Sequence, residues 1–292
     1  MECENCNNSP VLTDPRLCSD HYIEWFERTI EDTIKEYGLI DYSHKIVVAA
    51  SGGKDSTTVL YILRKLGYNV TALAIDEGIP GYRDKTLEDL KSFCNANGIG
   101  LKVVSFKEQL GSTLTDNIKK IDGSPCRACG IMRRYLLNKH SKDYDIVATG
   151  HNLDDEYQSI MMSLYKGNLH LALRLGPKSG KRNNDEFTQR VKPLYFLSEK
   201  QVFVYGKIRG FNLGYNECPY ARLGYRNRIR ETILEVGSGI SQKRINTVKN
   251  ILLLKKATSM TNIFINNKCQ KCNGISNTAL CVACRIKEAV FQ

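Results

Sequence analysis

The chain has 292 residues, 42% of them hydrophobic and 25% charged, which suits one globular domain with a full core plus appendages. No apolar run approaches the ~18 residues of a membrane span, and the acidic, cysteine-bearing start MECENCNNSP is unlike a signal peptide, so a cytoplasmic protein is expected. The net charge of +11 points to an acidic polymer as partner.

In chain order, YIEWFERTIEDTIKEY (22–37) has helical apolar spacing at Ile23, Phe26, Ile30 and Ile34. KIVVAAS (45–51) is a buried-strand run, and TTVLYILRKLG a helix ended by Gly67. NVTALAID is the next strand, YRDKTLEDLKSFCNANG a helix closed by Gly98 with Cys94 on its apolar face, and LKVVSF a strand. CRACGIMRRYLLNKHSK reads as a helix, YDIVATG as a strand and NLDDEYQSIMMSLYKG as a helix. This alternation predicts a parallel α/β sheet with helices on both faces. GPKSGKRNND (176–185) reads as a mobile loop, and helices are expected within SEKQVFVYGKIRG, RETILEVG and QKRINTVKNILLLKKAT.

The 11 cysteines are far from randomly spaced. In a reducing compartment, close pairs read as metal or catalytic ligands before disulfides. Cys3, Cys6, Cys18 and His21 form one four-ligand set, and Cys269, Cys272, Cys281 and Cys284 another. Two short knuckles per set suit tetrahedral zinc, which supplies folding energy to segments too short for their own core. Cys126 and Cys129 form a further CxxC, with Cys218 alone about ninety residues on.

Charge is segregated as well. Residues 171–230 hold thirteen Lys/Arg against four acids, a net +9, with tyrosines and phenylalanines interleaved. Such a stretch fits a nucleic-acid surface, while a solvated basic face over core aromatics is the plainer alternative.

SGGKDS (51–56) falls where a strand meets a helix and fits neither a dinucleotide-binding nor a Walker fingerprint. Ser51, the close-approach glycines Gly52 and Gly53, and Ser56 near the helix start would present backbone N–H groups to an anion. The segment resembles the PP-loop of N-type ATP pyrophosphatases, which cleave ATP between the α and β phosphates. That resemblance implies that Ser51, Gly53, Asp55 and Ser56 wrap pyrophosphate while Lys54 neutralises charge. Ala49–Ala50 and Ile75–Asp76 would border the adenosine.

The resemblance extends along the chain. ATGHNLDDEYQS (148–159) is similar to the second strand–helix junction of tRNA-thiolating PP-loop enzymes, with Gly150 and His151 at the turn. Asp154 and Asp155 follow, and Asp155 is the expected magnesium holder; capping of the helix is the structural alternative. The order of terminal CxxC…CxxH, PP-loop, central CxxC, lone cysteine and terminal CxxC…CxxC resembles the archaeal, thermophile and eukaryotic tRNA 2-thiouridine synthetases. Arg133 stands where members of that family carry a lysine, keeping the charge for ATP contact while removing a deprotonatable amine.

The family resemblance implies a PP-loop core at 40–235 between zinc modules at 1–25 and 264–292, with a helical linker at 236–263 and the 171–230 region facing tRNA. It implies ATP, magnesium, two zinc ions and one 4Fe–4S cluster on Cys126, Cys129 and Cys218. Lys54, Asp55, Arg133 and Asp155 are the implied catalytic residues. The uridine C2 oxygen would be adenylated by ATP, and sulfide on the open iron would then displace AMP. A persulfide relay through the same cysteines is the competing chemistry. A ubiquitin-like carrier or free sulfide would supply sulfur to a homodimer, and wobble and T-loop uridines fit equally. Two other classes stay open: a PP-loop synthetase or amidotransferase acting on a small molecule, and a non-catalytic zinc RNA-binding protein.

Overall fold

A computed structural model describes residues 2–180, 188–211, 217–221, 224–235, 241–258 and 267–291. The apolar runs pair as β1 (Ile46–Ala49), β2 (Val70–Asp76), β3 (Gly100–Ser105) and β4 (Ile146–Thr149), joined by β5 (Lys178–Ser179) and β6 (Gln189–Val191). The sheet order is β3-β2-β1-β4-β6-β5, parallel except for the β5–β6 pair. The parallel expectation therefore holds for five strands and fails at one edge. Lys178–Ser179, expected within a loop, extend that edge, because Lys178 pairs with Val191 and Ser179 with Arg190. The rest of that expected loop, from residue 181, lies outside the described residues.

Strand alternation builds two cores. Ile46, Val48, Ala72, Ala74, Ile146 and Ala148 point to one face, and Val47, Leu73, Ile75 and Val147 to the other. The first face is covered by α1 (Ser19–Glu36), α2 (Lys54–Lys65), α3 (Arg83–Ala96) and a later helix at Glu199–Ile208. Cys94 is buried there, as expected of a core residue. The second face is covered by α4 (Phe106–Leu110) and α5 (Pro125–His140), and by Val290 and Phe291 from the C-terminal segment. Beyond β4 come α6 (Leu153–Tyr165) and α7 (Leu169–Leu173). The Glu199–Ile208 helix is α8, followed by α9 (Tyr225–Glu235), α10 (Ser241–Ala257) and α11 (Val282–Ile286). Leu153 and Ile160 of α6 share a third cluster with Val248, Ile251 and Leu252 of α10.

The chain runs from β1 outward through β2 and β3, then returns to the other side of β1 as β4. That reversal opens a crevice at the carboxyl ends of β1 and β4, the favoured ligand position in sheets of this kind. Both sequence motifs end there, since Ala49 and Thr149 are register partners.

Candidate functional site

The PP-loop closes on itself. Ser51 N–H donates to Ser56 Oγ (3.1 Å), Ser56 Oγ donates to the Gly53 carbonyl (3.0 Å), and Gly53 N–H donates to Ser51 Oγ (3.3 Å). Gly52 is required twice over: its φ is +81°, and a Cβ would lie 2.2 Å from the Thr86 carbonyl oxygen. α2 begins at Lys54, so Ser56 sits within its first turn. Ala50 and Ile75 are buried beside the loop. Asp76 at the end of β2 accepts from Gly78 N–H (2.9 Å).

Lys54 Nζ lies between Asp55 (3.0 Å) and Glu199 (3.1 Å). Burial opposes its charge, yet these two carboxylates hold the ammonium above its ordinary range. Burial raises the Asp55 carboxyl above the usual carboxylate range, with Lys54 and Asn152 only partly offsetting it. From the β4–α6 junction, Asn152 Nδ2 donates to Asp55 Oδ1 (3.2 Å). Gly150 presses on the loop, where a Cβ would come within 2.8 Å of Asp55 C and Ser56 N. His151 Nδ1 is 2.9 Å from Thr149 Oγ1.

Asp155 does two jobs. It forms a capping box with Asn152 and pairs with Arg226 at 2.7 Å; capping and a charged role are thus compatible. Asp154 accepts from Glu199 N–H (2.6 Å) and pairs with Arg244. Arg230 approaches Glu199 at 3.5 Å. A cavity of about 710 Å³ is bounded by Lys54, Asp55, Asp154, Glu199, Arg230 and Arg244 among others. Asp55, Asp154, Glu199 and Glu217 with their basic partners, at the mouth of a phosphate-type loop, suit a nucleotide triphosphate with a divalent ion.

The three central cysteines converge on the other side of the same sheet edge. Cys126 and Cys129 stand within the first two turns of α5. Cys126 Sγ donates to the Tyr220 carbonyl (3.1 Å), which ties the 217–221 segment carrying Cys218 to the start of that helix. Cys129 and Cys218 both pack against the second core. Burial, then Glu77, pushes the Cys129 thiol up to about 12, with Arg133 working against them.

Glu77 links the two halves. This carboxylate, nearly fully buried, pairs with Arg83 Nε (3.1 Å) on one side and Arg133 Nε (2.9 Å) on the other. Arg83 Nη1 in turn donates to the Ser51 carbonyl of the PP-loop (2.6 Å). A buried charge chain thus runs from the ATP loop to the helix carrying the cysteines, and Arg133 is its outer member. Sequence reasoning missed Glu77, Arg83, Asn152, Glu199 and Arg244. Only Asn152 had a local signal, the N-x-x-D capping pattern before Asp155.

The terminal sets are closed. The ligand atoms of Cys3, Cys6, Cys18 and His21 all lie within 4.8 Å of one another, as do those of Cys269, Cys272, Cys281 and Cys284. Cys6 and Cys18 sulfurs are 3.6 Å apart, Cys18 Sγ and His21 Nδ1 3.3 Å, and Cys272 and Cys281 sulfurs 3.7 Å. A zinc–sulfur bond of about 2.3 Å in a tetrahedron places sulfurs about 3.8 Å apart, so each set fits one ion. Cys126, Cys129 and Cys218 form no such set among the described residues. Three thiols around a wider gap suit a multi-iron group, whose thiolates bind different irons. All eleven cysteines are free of disulfides.

Of the basic 171–230 stretch, several cations are paired with acids: Lys192 with buried Glu156 (2.7 Å), Arg209 with Glu27 (2.6 Å), and the more exposed Arg226 and Arg230 with the crevice acids above. Tyr195 and Tyr205 are fully buried.

The PP-loop domain family model matches residues 23–236. The tRNA-5-methyluridine(54) 2-sulfurtransferase of Pyrococcus horikoshii is 34% identical over 295 residues, covering 98% of this chain and 93% of that protein. Cytoplasmic tRNA 2-thiolation protein 1 of Danio rerio is 30% identical over 306 residues, covering 99% and 88%. The structure of the U34-tRNA thiolase NcsA from Methanococcus maripaludis with its 4Fe–4S cluster superposes with a TM-score of 0.83 at 28% identity, covering 99% of this chain and 96% of that one. With the family model matching residues 23–236 and relatives of this kind covering nearly the whole chain, the chain belongs to the PP-loop domain family, on the branch of the tRNA 2-thiolation proteins.

Proposed function

We propose that this protein is an ATP-dependent tRNA uridine 2-sulfurtransferase. The observation that carries the reading is the placement of an ATP-type loop and three converging cysteines at one sheet edge, with Glu77 and Arg133 between them. A binding module would need no such loop, and a small-molecule synthetase would need no such cysteines.

Ser51, Gly53, Lys54 and Ser56 bind the β and γ phosphates through backbone N–H groups and the ammonium. Asp55 and Asp155 would hold magnesium, exchanging their present partners Lys54 and Arg226 for it. Ala50, Ile75 and Asp76 border the adenosine, and Gly150 and His151 close the crevice. Arg133, held by Glu77, faces the α phosphate and the developing charge. The uridine C2 oxygen attacks the α phosphorus and pyrophosphate leaves. The oxygen then departs with AMP as sulfur bonds to C2. Cys126, Cys129 and Cys218 would hold a 4Fe–4S cluster, which supplies one iron without a protein ligand where sulfide can bind.

The terminal sets would each hold a structural zinc. The division into modules at 1–25 and 264–292, a core at 40–235 and a linker at 236–263 belongs to this same reading, with α10 of the linker packed on α6. A cytoplasmic homodimer fed by a ubiquitin-like carrier or free sulfide completes it. Among the described residues no helix is long and apolar enough to cross a membrane.

The test is anaerobic purification with iron and sulfide analysis, alongside ATP-dependent 2-thiouridine formation in unmodified tRNA. Wild type should carry iron and thiolate, while Cys126→Ala and Cys218→Ala lose both. Full activity in iron-free protein would transfer the reaction to a cysteine persulfide. Pyrophosphate release indifferent to tRNA would favour a small-molecule synthetase.

A further inference from the structure

A second basic surface lies away from the ATP crevice. Between α5 and the C-terminal cysteine set runs a groove of about 750 Å³. It is lined by Arg134, Lys139, Lys142, Arg190, Lys268 and Lys271, and among the described residues no aspartate or glutamate lines it. Lys139, Lys142, Lys268 and Lys271 are exposed. Lys271 is countered by Glu288 (2.5 Å), and Lys139 donates to the neutral Gln109 (2.9 Å). Among the described residues no acid forms an ion pair with Arg134, Lys139, Lys142 or Arg190.

The cations are also set against one another. Burial, Arg133 and Arg226 pull the Arg134 guanidinium below its ordinary range, and burial and Arg134 do the same to Arg190. Like charges gathered this way are costly until a polyanion arrives. The position is informative too. α5 carries Cys126 and Cys129 near its start and Arg134 and Lys139 further along. At 1.5 Å rise per residue, Arg134 is about 12 Å and Lys139 about 20 Å from Cys126 along the axis.

We infer that this groove seats the phosphate backbone of the tRNA substrate, using α5 and the C-terminal metal module as its two walls. The inference rests on the thiolation reading and adds where the RNA lies. A strand held 12–20 Å from the cysteines leaves room for one nucleotide to turn out of its stack and reach the crevice. On this arrangement the C-terminal set has a purpose beyond its own folding: it fixes Lys268 and Lys271 opposite α5.

The test measures binding of an unmodified tRNA transcript by fluorescence anisotropy across a salt series. Wild type is compared with Lys142→Glu/Lys268→Glu and with the charge-keeping Lys142→Arg/Lys268→Arg. Each lost phosphate contact should flatten the slope of log affinity against log salt by about 1. The reversal variant should bind at least about tenfold more weakly and show a raised KM for tRNA. Its ATP affinity and zinc content should match wild type, and the arginine variant should bind as wild type does. Unchanged tRNA affinity and slope in the reversal variant, with thiolation intact in wild type, overturns the groove alone. Loss of binding to polyglutamate but not to tRNA also overturns it, assigning the groove to an acidic protein. A wild-type protein that neither binds nor thiolates tRNA instead removes the functional reading beneath.

Discussion

Two glycines at the crevice separate steric support of the PP-loop from contact with its ligand. A Cβ at Gly150 would sit 2.8 Å from the Asp55 carbonyl carbon and the Ser56 nitrogen, both backbone atoms that cannot swing aside. Overpacking of this kind costs about 1–3 kcal/mol. Expressed at the loop, that is a loss of about 5- to 150-fold in ATP affinity at 1.4 kcal/mol per decade. Expressed in global stability, it lowers the melting temperature by about 2–4 °C per kcal/mol. Gly150→Ala should therefore lose in both measurements. Gly53 has negative φ, and a Cβ there would meet only Ser51 Oγ at 3.4 Å, an ordinary contact. Gly53→Ala should melt within about 3 °C of wild type. It should still bind ATP poorly, because the added methyl stands where a phosphate must approach the backbone. Calorimetric titration with a non-hydrolysable ATP analogue and thermal melts decide the matter. Wild-type ATP affinity in Gly53→Ala would refute the loop as a phosphate cradle, and wild-type behaviour in Gly150→Ala would refute the abutment of the two junctions.

Other consequences follow from the same geometry. Asp55→Asn should abolish tRNA-dependent pyrophosphate release while leaving the fold as stable or more so at pH 7, because burial opposes the carboxylate. With its folded pKa raised, Asp55 takes up a proton in the native state first as pH falls. The stability difference between wild type and Asn should accordingly shrink on acidification, and melts that diverge there would contradict the argument. Glu77→Ala strands the buried Arg83 guanidinium and should cost about 3–5 kcal/mol, or roughly 6–20 °C in melting temperature. Arg133→Ala should cost less, since Arg133 is 41% exposed, and equal losses would argue against Glu77 as the buried hub. Cys272→Ser should reduce zinc from two ions per chain to one. It should also open residues 267–291 to proteolysis, since the ring of Phe291 packs edge-on against Phe106 at 5.7 Å; two zinc ions retained would count against the ligand set.

Much of the architecture was legible locally. Continuous apolar runs such as IVVA and VTALAID, punctuated by Gly67 and Gly98, gave strands and helices whose positions the structure reproduces. The four-ligand sets were legible because knuckle spacing confines sulfur atoms to one small volume whatever the rest of the chain does. Charge was less legible. Composition marked 171–230 as a basic segment, but a sequence count cannot separate Lys192, spent on buried Glu156, from Arg190, which lines a groove.

By itself the sequence determined what depends on neighbours within a few residues: the loop that can cradle phosphate, the capped helix bearing Asp154 and Asp155, and two chelating sets. Only the tertiary structure decided which of these meet. Glu77 comes from the end of β2, Arg83 from α3 and Arg133 from α5. Glu199 is 145 residues from Lys54, and α5 lies opposite a module more than a hundred residues further on. Such pairings arise from strand order and from which face each helix covers, and the energy that fixes them is burial shared across the whole core. No short window of residues carries that information.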